Sequence, residues 1–305
     1  MVALHRPARL WVEQADLDPT EHARRIAAHP RFPRAARALA AHMLSASDTD
    51  AALAAVFRDA GRYATAMWTV FLNATGAMTL PHLKEACAAS GLASSGRARL
   101  LLQVLEHIGY VEPMPPAGDG KARHYALTPA FLAAWRSHLR AALGAAALVD
   151  PAIEALAERL DEPAMFERFL RIQAARLPRL TRWAAETPAF QRILMHRYAG
   201  LLIVSMLVAG ERDGGFPPAG PIPIALKPTA ARFGVSYMHV RRLLHDAAEA
   251  GLLDYEATGS VTLRDAMRRT IRLFYAAQLA ELVASARLAL AALEPLRHDA
   301  RISAP

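Results

Sequence analysis

A chain that repeats its own order of landmarks is confined to a duplicated architecture, because each copy must fold to one plan and pack beside its twin. Here Asp18-Pro19 opens a run free of helix breakers in the first half, and Asp150-Pro151 opens one in the second. Arg62-Tyr63-Ala64 then begins an apolar stretch that ends at Gly76, and Arg197-Tyr198-Ala199 begins another that ends at Gly210. Gly91 and Gly109 bracket a third segment, matched by Gly234 and Gly251. The order is kept, and the separation between partners drifts by only about ten residues, as duplication followed by loop insertion would leave it. The boundary falls near Val149, dividing the chain into 1–148 and 149–305.

A chain of 305 residues is long enough for two domains that each bury a core. Ala dominates a composition that is 53% hydrophobic. Gly and Pro gather between long uninterrupted runs, so the expected class is mainly α. The formal charge of +8 favours a polyanionic partner if the cations prove to be grouped.

Cys87 is the only cysteine, which excludes an internal disulfide and fits a reducing compartment. Its Ala-rich setting reads as a small packing residue. Met1 to Leu10 carries His5, Arg6 and Arg9 without an apolar core, unlike a signal peptide. The most apolar stretch, Ala199 to Ala209, is about half the length that spans a bilayer. It reads as a buried helix, and the chain is expected to be cytoplasmic with no membrane partner.

Chemistry-bearing motifs do not emerge. There is no phosphate-binding Gly loop, nucleophile elbow or His-Glu-x-x-His. His239 and His245 are off the i, i+4 spacing that sets two ligands on one helical face. The expectation is a non-enzyme with no cofactor and no metal.

What the sequence does carry is a helix, a turn and a helix in each half. Leu80 to Ser90 reads as a short helix with Leu83 and Cys87 at i and i+4, and Gly91-Leu92 makes the turn. Ser94 or Ser95 can cap the next helix by accepting from its free first-turn amides. That helix runs to about Ile108, with Ala98, Leu101, Leu105 and Ile108 as its buried stripe. Arg97 and Arg99 are left pointing outward. Tyr110-Val111-Glu112 is then extended, Pro113 to Gly120 is rich in breakers, and His124 to Leu127 can return as a second strand. This is the order of a winged helix, in which the second helix enters a major groove and the hairpin reaches a phosphate or a neighbouring groove.

The second half repeats the device. Gly234-Val235 is the turn, Ser236 the cap, and Tyr237 to Ala250 the helix. Val240, Leu243, Leu244 and Ala247 face inward, leaving His239, Arg241 and Arg242 exposed. Gly251-Leu252-Leu253 closes it, and a very short wing follows around Thr258-Gly259-Ser260. The two helix-turn-helix segments are placed at about 80–111 and 226–253, and the wings at 112–128 and 254–263. All three lysines, Lys84, Lys121 and Lys227, fall within these regions.

Arg99 to Val111, followed by Asp119-Gly120-Lys121-Ala122-Arg123 and Leu127-Thr128-Pro129, resembles the multiple-antibiotic-resistance (MarR) type of winged-helix regulator. The resemblance spans about Leu80 to Phe131. It rests on Leu101, Leu105, Gly109, Tyr110 and Val111 for the core, and on Asp119, Lys121 and Arg123 for the wing. The second wing departs from it, lacking the Asp-x-Arg pattern.

The resemblance implies flanking helices that build a dimer interface and hold two reading helices one duplex turn apart, about 34 Å. A tandem chain supplies both copies, so the expected architecture is a monomeric pseudo-dimer, or a homodimer of such chains. The expected partner is double-stranded DNA bearing an imperfect inverted repeat. The DNA-contacting set is Lys84, Ser94, Ser95, Arg97, Arg99, Lys121 and Arg123 in the first half, and Lys227, Ser236, Tyr237, His239, Arg241 and Arg242 in the second. A small aromatic or apolar effector is the other expected partner, with Trp68, Phe71, Met195, Tyr198 and Met206 lining its pocket. At helical spacing the same residues also read as plain core. The alternative function is a winged-helix scaffold for protein partners in chromosome organisation or replication, without sequence-specific DNA binding.

Overall fold

The computed structural model describes residues 19–90, 94–115, 123–185, 187–210, 215–256 and 259–291. The architecture is mainly helical with two small antiparallel sheets. The first half contains α1 (Pro19–Ala28), α2 (Phe32–Thr49), α3 (Ala51–Val56), α4 (Ala60–Ala74), α5 (Leu80–Ser90) and α6 (Ser95–His107). The strands β1 (Val111–Pro113) and β2 (Tyr125–Leu127) follow, then α7 (Pro129–Ala147). The second half contains α8 (Glu154–Glu158), α9 (Pro163–Ala185), α10 (Pro188–Phe190), α11 (Gly200–Ala209) and β3 (Ile222–Pro223). It continues with α12 (Leu226–Arg232), α13 (Tyr237–Glu249), β4 (Leu253–Glu256), β5 (Ser260–Leu263) and α14 (Asp265–Ala291).

Local chemistry sets the ends of these elements. The Asp59 carboxylate accepts from the Arg62 amide to start α4. The Thr128 hydroxyl accepts from the Phe131 amide to start α7, with Pro129 in the first turn, where its missing donor costs nothing. β1 pairs with β2 in the register Val111 opposite Leu127. β5 lies between β4 and β3, with Leu253 opposite Leu263 and Ile222 opposite Val261. Pro223 sits on β3, an edge strand that tolerates a residue without an amide donor.

The buried side chains of both halves form one continuous core instead of two. α2 packs on α11, α4 on α9, α2 on α7, α9 on α14, and α7 on α14. Ala35, Ala36 and Ala40 of α2 are fully buried, and their small size lets backbones approach. α11 is apolar nearly all round and correspondingly buried. Arg176 of α9 and Glu281 of α14 form a buried ion pair at 2.7 Å in this shared core. α14 is long and apolar enough to cross a bilayer. Here it is a core helix, burying Met267, Ile271 and Tyr275.

The segment before α11 departs from expectation. Arg62-Tyr63-Ala64 lies inside α4, whereas Arg197-Tyr198-Ala199 runs directly into α11 with Ala199 as its N-cap. Gln191–Met195 forms one wide π turn, and the path then bends by 100° into α11. Ala199 adopts a left-handed φ of 64°, uncommon for a residue with a Cβ. A Cβ at Gly200 would stand 1.7 Å from the Leu194 carbonyl oxygen, so the bend requires glycine there.

Candidate nucleic-acid interface

α6 and α13 are built alike. The Ser94 hydroxyl accepts from the Arg97 amide at 3.3 Å, and the Ser236 hydroxyl accepts from the His239 amide at 3.1 Å. Ser94 is therefore the cap and Ser95 the first helical residue. At the far end of α6, the Tyr110 amide donates to the Leu105 carbonyl and the Gly109 amide to that of Glu106. In α13, Leu252 donates to Ala247 and Gly251 to Ala248 in the same pattern. Both glycines have positive φ, as this closure demands.

Counting back from them aligns Arg97 with His239, Arg99 with Arg241, and Leu100 with Arg242. The inward stripes are also equivalent: Ala98, Leu101, Leu102 and Leu105 against Val240, Leu243, Leu244 and Ala247. Ile108 does not join its stripe. It is 38% exposed, because it is the capping residue, where the chain leaves helical geometry.

Arg99, Arg241 and Arg242 are exposed and have no hydrogen-bond or ion-pair partner among the described residues. Arg97 is exposed and donates to the His196 carbonyl at 3.4 Å. His239 differs from expectation. It is half-buried, with its ring Nε2 donating to the Tyr198 carbonyl at 2.8 Å, and so is held by the body of the protein.

Tyr237, Ser94, Ser95, Ser236 and Lys227 are exposed, and Lys84 is half-buried on α5. Arg123 is exposed, pairs with Glu106 at 3.0 Å and lies over the Tyr125 ring. An exposed pair of this kind contributes little and yields readily to another anion. Lys121 and Asp119 lie outside the described residues, as do Gly91 and Thr258.

The first turns of α6 and α13 meet at one place. Arg97 reaches the carbonyl of His196, and His239 that of Tyr198, two residues on. Two extended residues cover at most about 7 Å. The helix starts are separated by that step plus the reach of one arginine and one histidine, less than the expected full duplex turn of about 34 Å.

The same segment gathers further cations that the sequence did not single out. The Arg58 guanidinium donates to the Tyr198 hydroxyl and to the Phe233 carbonyl in the turn before α13. Arg58 and Arg62 lie 4.6 Å and 5.2 Å from the centre of the Tyr198 ring, favourable cation–π geometry. Arg197 pairs with Asp246 of α13, and Arg232 of α12 with Asp48 of α2. Burial, then the neighbouring Arg97 guanidinium, hold His196 below the usual imidazole range, against the opposing pull of Asp59.

The five residues expected to line an effector pocket lie in varied settings. Trp68 and Phe71 pack edge to face at 5.7 Å. Met195 is fully buried, Tyr198 lies against the two arginines, and the Met206 sulfur accepts from Thr229. A cavity of about 50 Å³ sits elsewhere, where α2, α4, α7, α9 and α14 meet, and is bordered by Tyr63, His138, Gln173, Arg176 and Glu281. A wider groove beside α13 is lined by Arg192, Arg197, Asp246 and Glu249. None of the five lines either. No protein-family model, curated protein or solved structure matches the chain.

Proposed function

We propose that this chain is a DNA-binding transcriptional regulator in which α6 and α13 are the two reading helices of tandem winged helix-turn-helix modules. The observation that carries the reading is the pairing of two helices with identical caps and closures. Guanidiniums without a partner among the described residues stand at equivalent positions of both, and both first turns are tied to His196–Tyr198. An exposed cation with no carboxylate beside it is free to meet a phosphate or a base edge.

The helix contacts support a pseudo-dimer. Exchanging the halves turns the α2–α11 contact into α9–α4 and the α2–α7 contact into α9–α14, and all four pairs occur. The tethering of both first turns to one segment supports half-sites lying within a single duplex turn of each other. The MarR-type resemblance supports the same class of regulator.

Fluorescence anisotropy on labelled duplexes taken from around the protein's own gene, repeated over a range of salt, tests the reading. Each phosphate contact steepens the fall of log affinity with log salt by about 0.9, so several contacts give a steep line. An affinity that salt leaves unchanged would rule out the proposal. The scaffold alternative draws on Leu100, Tyr237 and Met238, which are apolar and exposed on these helices. It predicts that the same surface ignores duplex DNA at every salt concentration.

A further inference from the structure

We infer that the two half-sites differ at one defined base position, where α13 selects guanine through Arg242 and α6 selects thymine through Leu100. The inference rests on the DNA-binding reading above.

Its starting point is register. The Ser caps and the closing glycines fix α6 and α13 to the same frame, so each outward residue of one helix has a defined counterpart on the other. Arg99 and Arg241 agree, both exposed and without a partner among the described residues. The following position does not: Leu100 is 52% exposed, and its counterpart Arg242 is exposed and unpartnered.

An exposed leucine alone says little, but one standing where the duplicate module carries an arginine changes what that module can read. A guanidinium donates two hydrogen bonds to the O6 and N7 of guanine. A leucine offers no donor, and the one apolar group on a major-groove base edge is the thymine methyl. Arg99 and Arg241 keep a guanine contact common to both half-sites. The site is therefore an inverted repeat, broken where Leu100 and Arg242 reach.

Selection of bound duplexes from a random library by the full-length protein, followed by sequencing, tests this directly. The expected motif has two inverted halves sharing one guanine and differing at the adjacent position, guanine in one and thymine in the other. Leu100→Arg is expected to convert that thymine to guanine and make the motif symmetric. Each correct base should be favoured over a mismatch by about tenfold to a hundredfold.

A symmetric motif from the wild type, or a Leu100→Arg motif unchanged from it, would overturn the inference while leaving DNA binding intact. Duplexes recovered without any enriched motif, with steep salt dependence, would likewise sink the base assignment alone. No recovery of duplex at all would overturn both readings. Circular dichroism of Leu100→Arg, an exchange at an exposed helical position, checks that the variant remains folded.

Discussion

Lowering the pH should unfold this protein through one buried imidazole, and the structure sets the size of the effect. His138 of α7 is 1% exposed. One ring nitrogen lies 2.9 Å from His42 of α2 and the other 3.1 Å from the hydroxyl of Tyr63 of α4, so a neutral ring is satisfied by one donated and one accepted hydrogen bond. Burial, then the nearby His42, push the His138 pKa down from 6.5 to about 3. The unfolded chain takes up this proton near pH 6.5 and the folded chain does not, so the unfolded state is favoured increasingly as pH falls between those values.

Each pH unit in that window costs about 1.4 kcal/mol, so at pH 4.5 the penalty from this residue is about 2.7 kcal/mol. The whole effect is present once pH passes below about 3, and none of it remains well above 6.5. Urea unfolding at several pH values, on the wild type and on His138→Gln, isolates it, because glutamine can hydrogen-bond to both neighbours but cannot titrate. The stability difference between the two proteins should shift in favour of the variant by about 1.4 kcal/mol for each pH unit below 6.5. Parallel curves would refute the reasoning, showing that His138 is not held neutral by its surroundings.

Further outcomes follow from the core and from the bend before α11. Arg176→Met should destabilise by about 1.5–3 kcal/mol in denaturant titration, because it removes a charge-assisted hydrogen bond made at 2.7 Å to the Glu281 carboxylate inside the core, whereas Arg176→Lys, which keeps the charge, should lose less. Gly200→Ala should cost at least about 3 kcal/mol, since the new methyl must displace the Leu194 carbonyl. Ala199→Gly should instead be neutral or stabilising by up to about 1 kcal/mol, as relief of the left-handed strain offsets the added freedom of the unfolded chain. Both are read from thermal melts. For function, Arg99→Ala and Arg241→Ala should each weaken discrimination at a different half-site, while Lys121→Ala should lower affinity uniformly across sequences, measured by anisotropy on matched and mismatched duplexes.

Much of α6 and α13 was legible because these helices are built from local signals. A serine at the start, an inward stripe at helical spacing and a glycine at the close suffice to place α6 and α13, and the breaker-rich stretches between apolar pairs place the strand ends. The segment from Gln191 to Gly200 was not legible. Its π turn, left-handed alanine and bend accompany the close packing of Gly200 on Leu194, and the repeated Arg-Tyr-Ala tripeptide marks the start of α11 without revealing the bend that precedes it.

The capture of His239 by the Tyr198 carbonyl follows from that bend, as does the convergence of Arg58 and Arg62 on the Tyr198 ring. Such contacts join residues far apart in sequence, and no spacing rule encodes them. Large residues at helical spacing say which face is inward, but not whether the facing element leaves a void.

The central claim is that one duplex engages both helices, and hydroxyl-radical footprinting on a duplex recovered by selection measures it. The wild type should protect two backbone segments lying within one helical turn. Arg97→Ala with Arg99→Ala should erase one of them, and Arg241→Ala with Arg242→Ala the other. Protection that neither pair of substitutions alters, or that both abolish in the same way, would contradict the account.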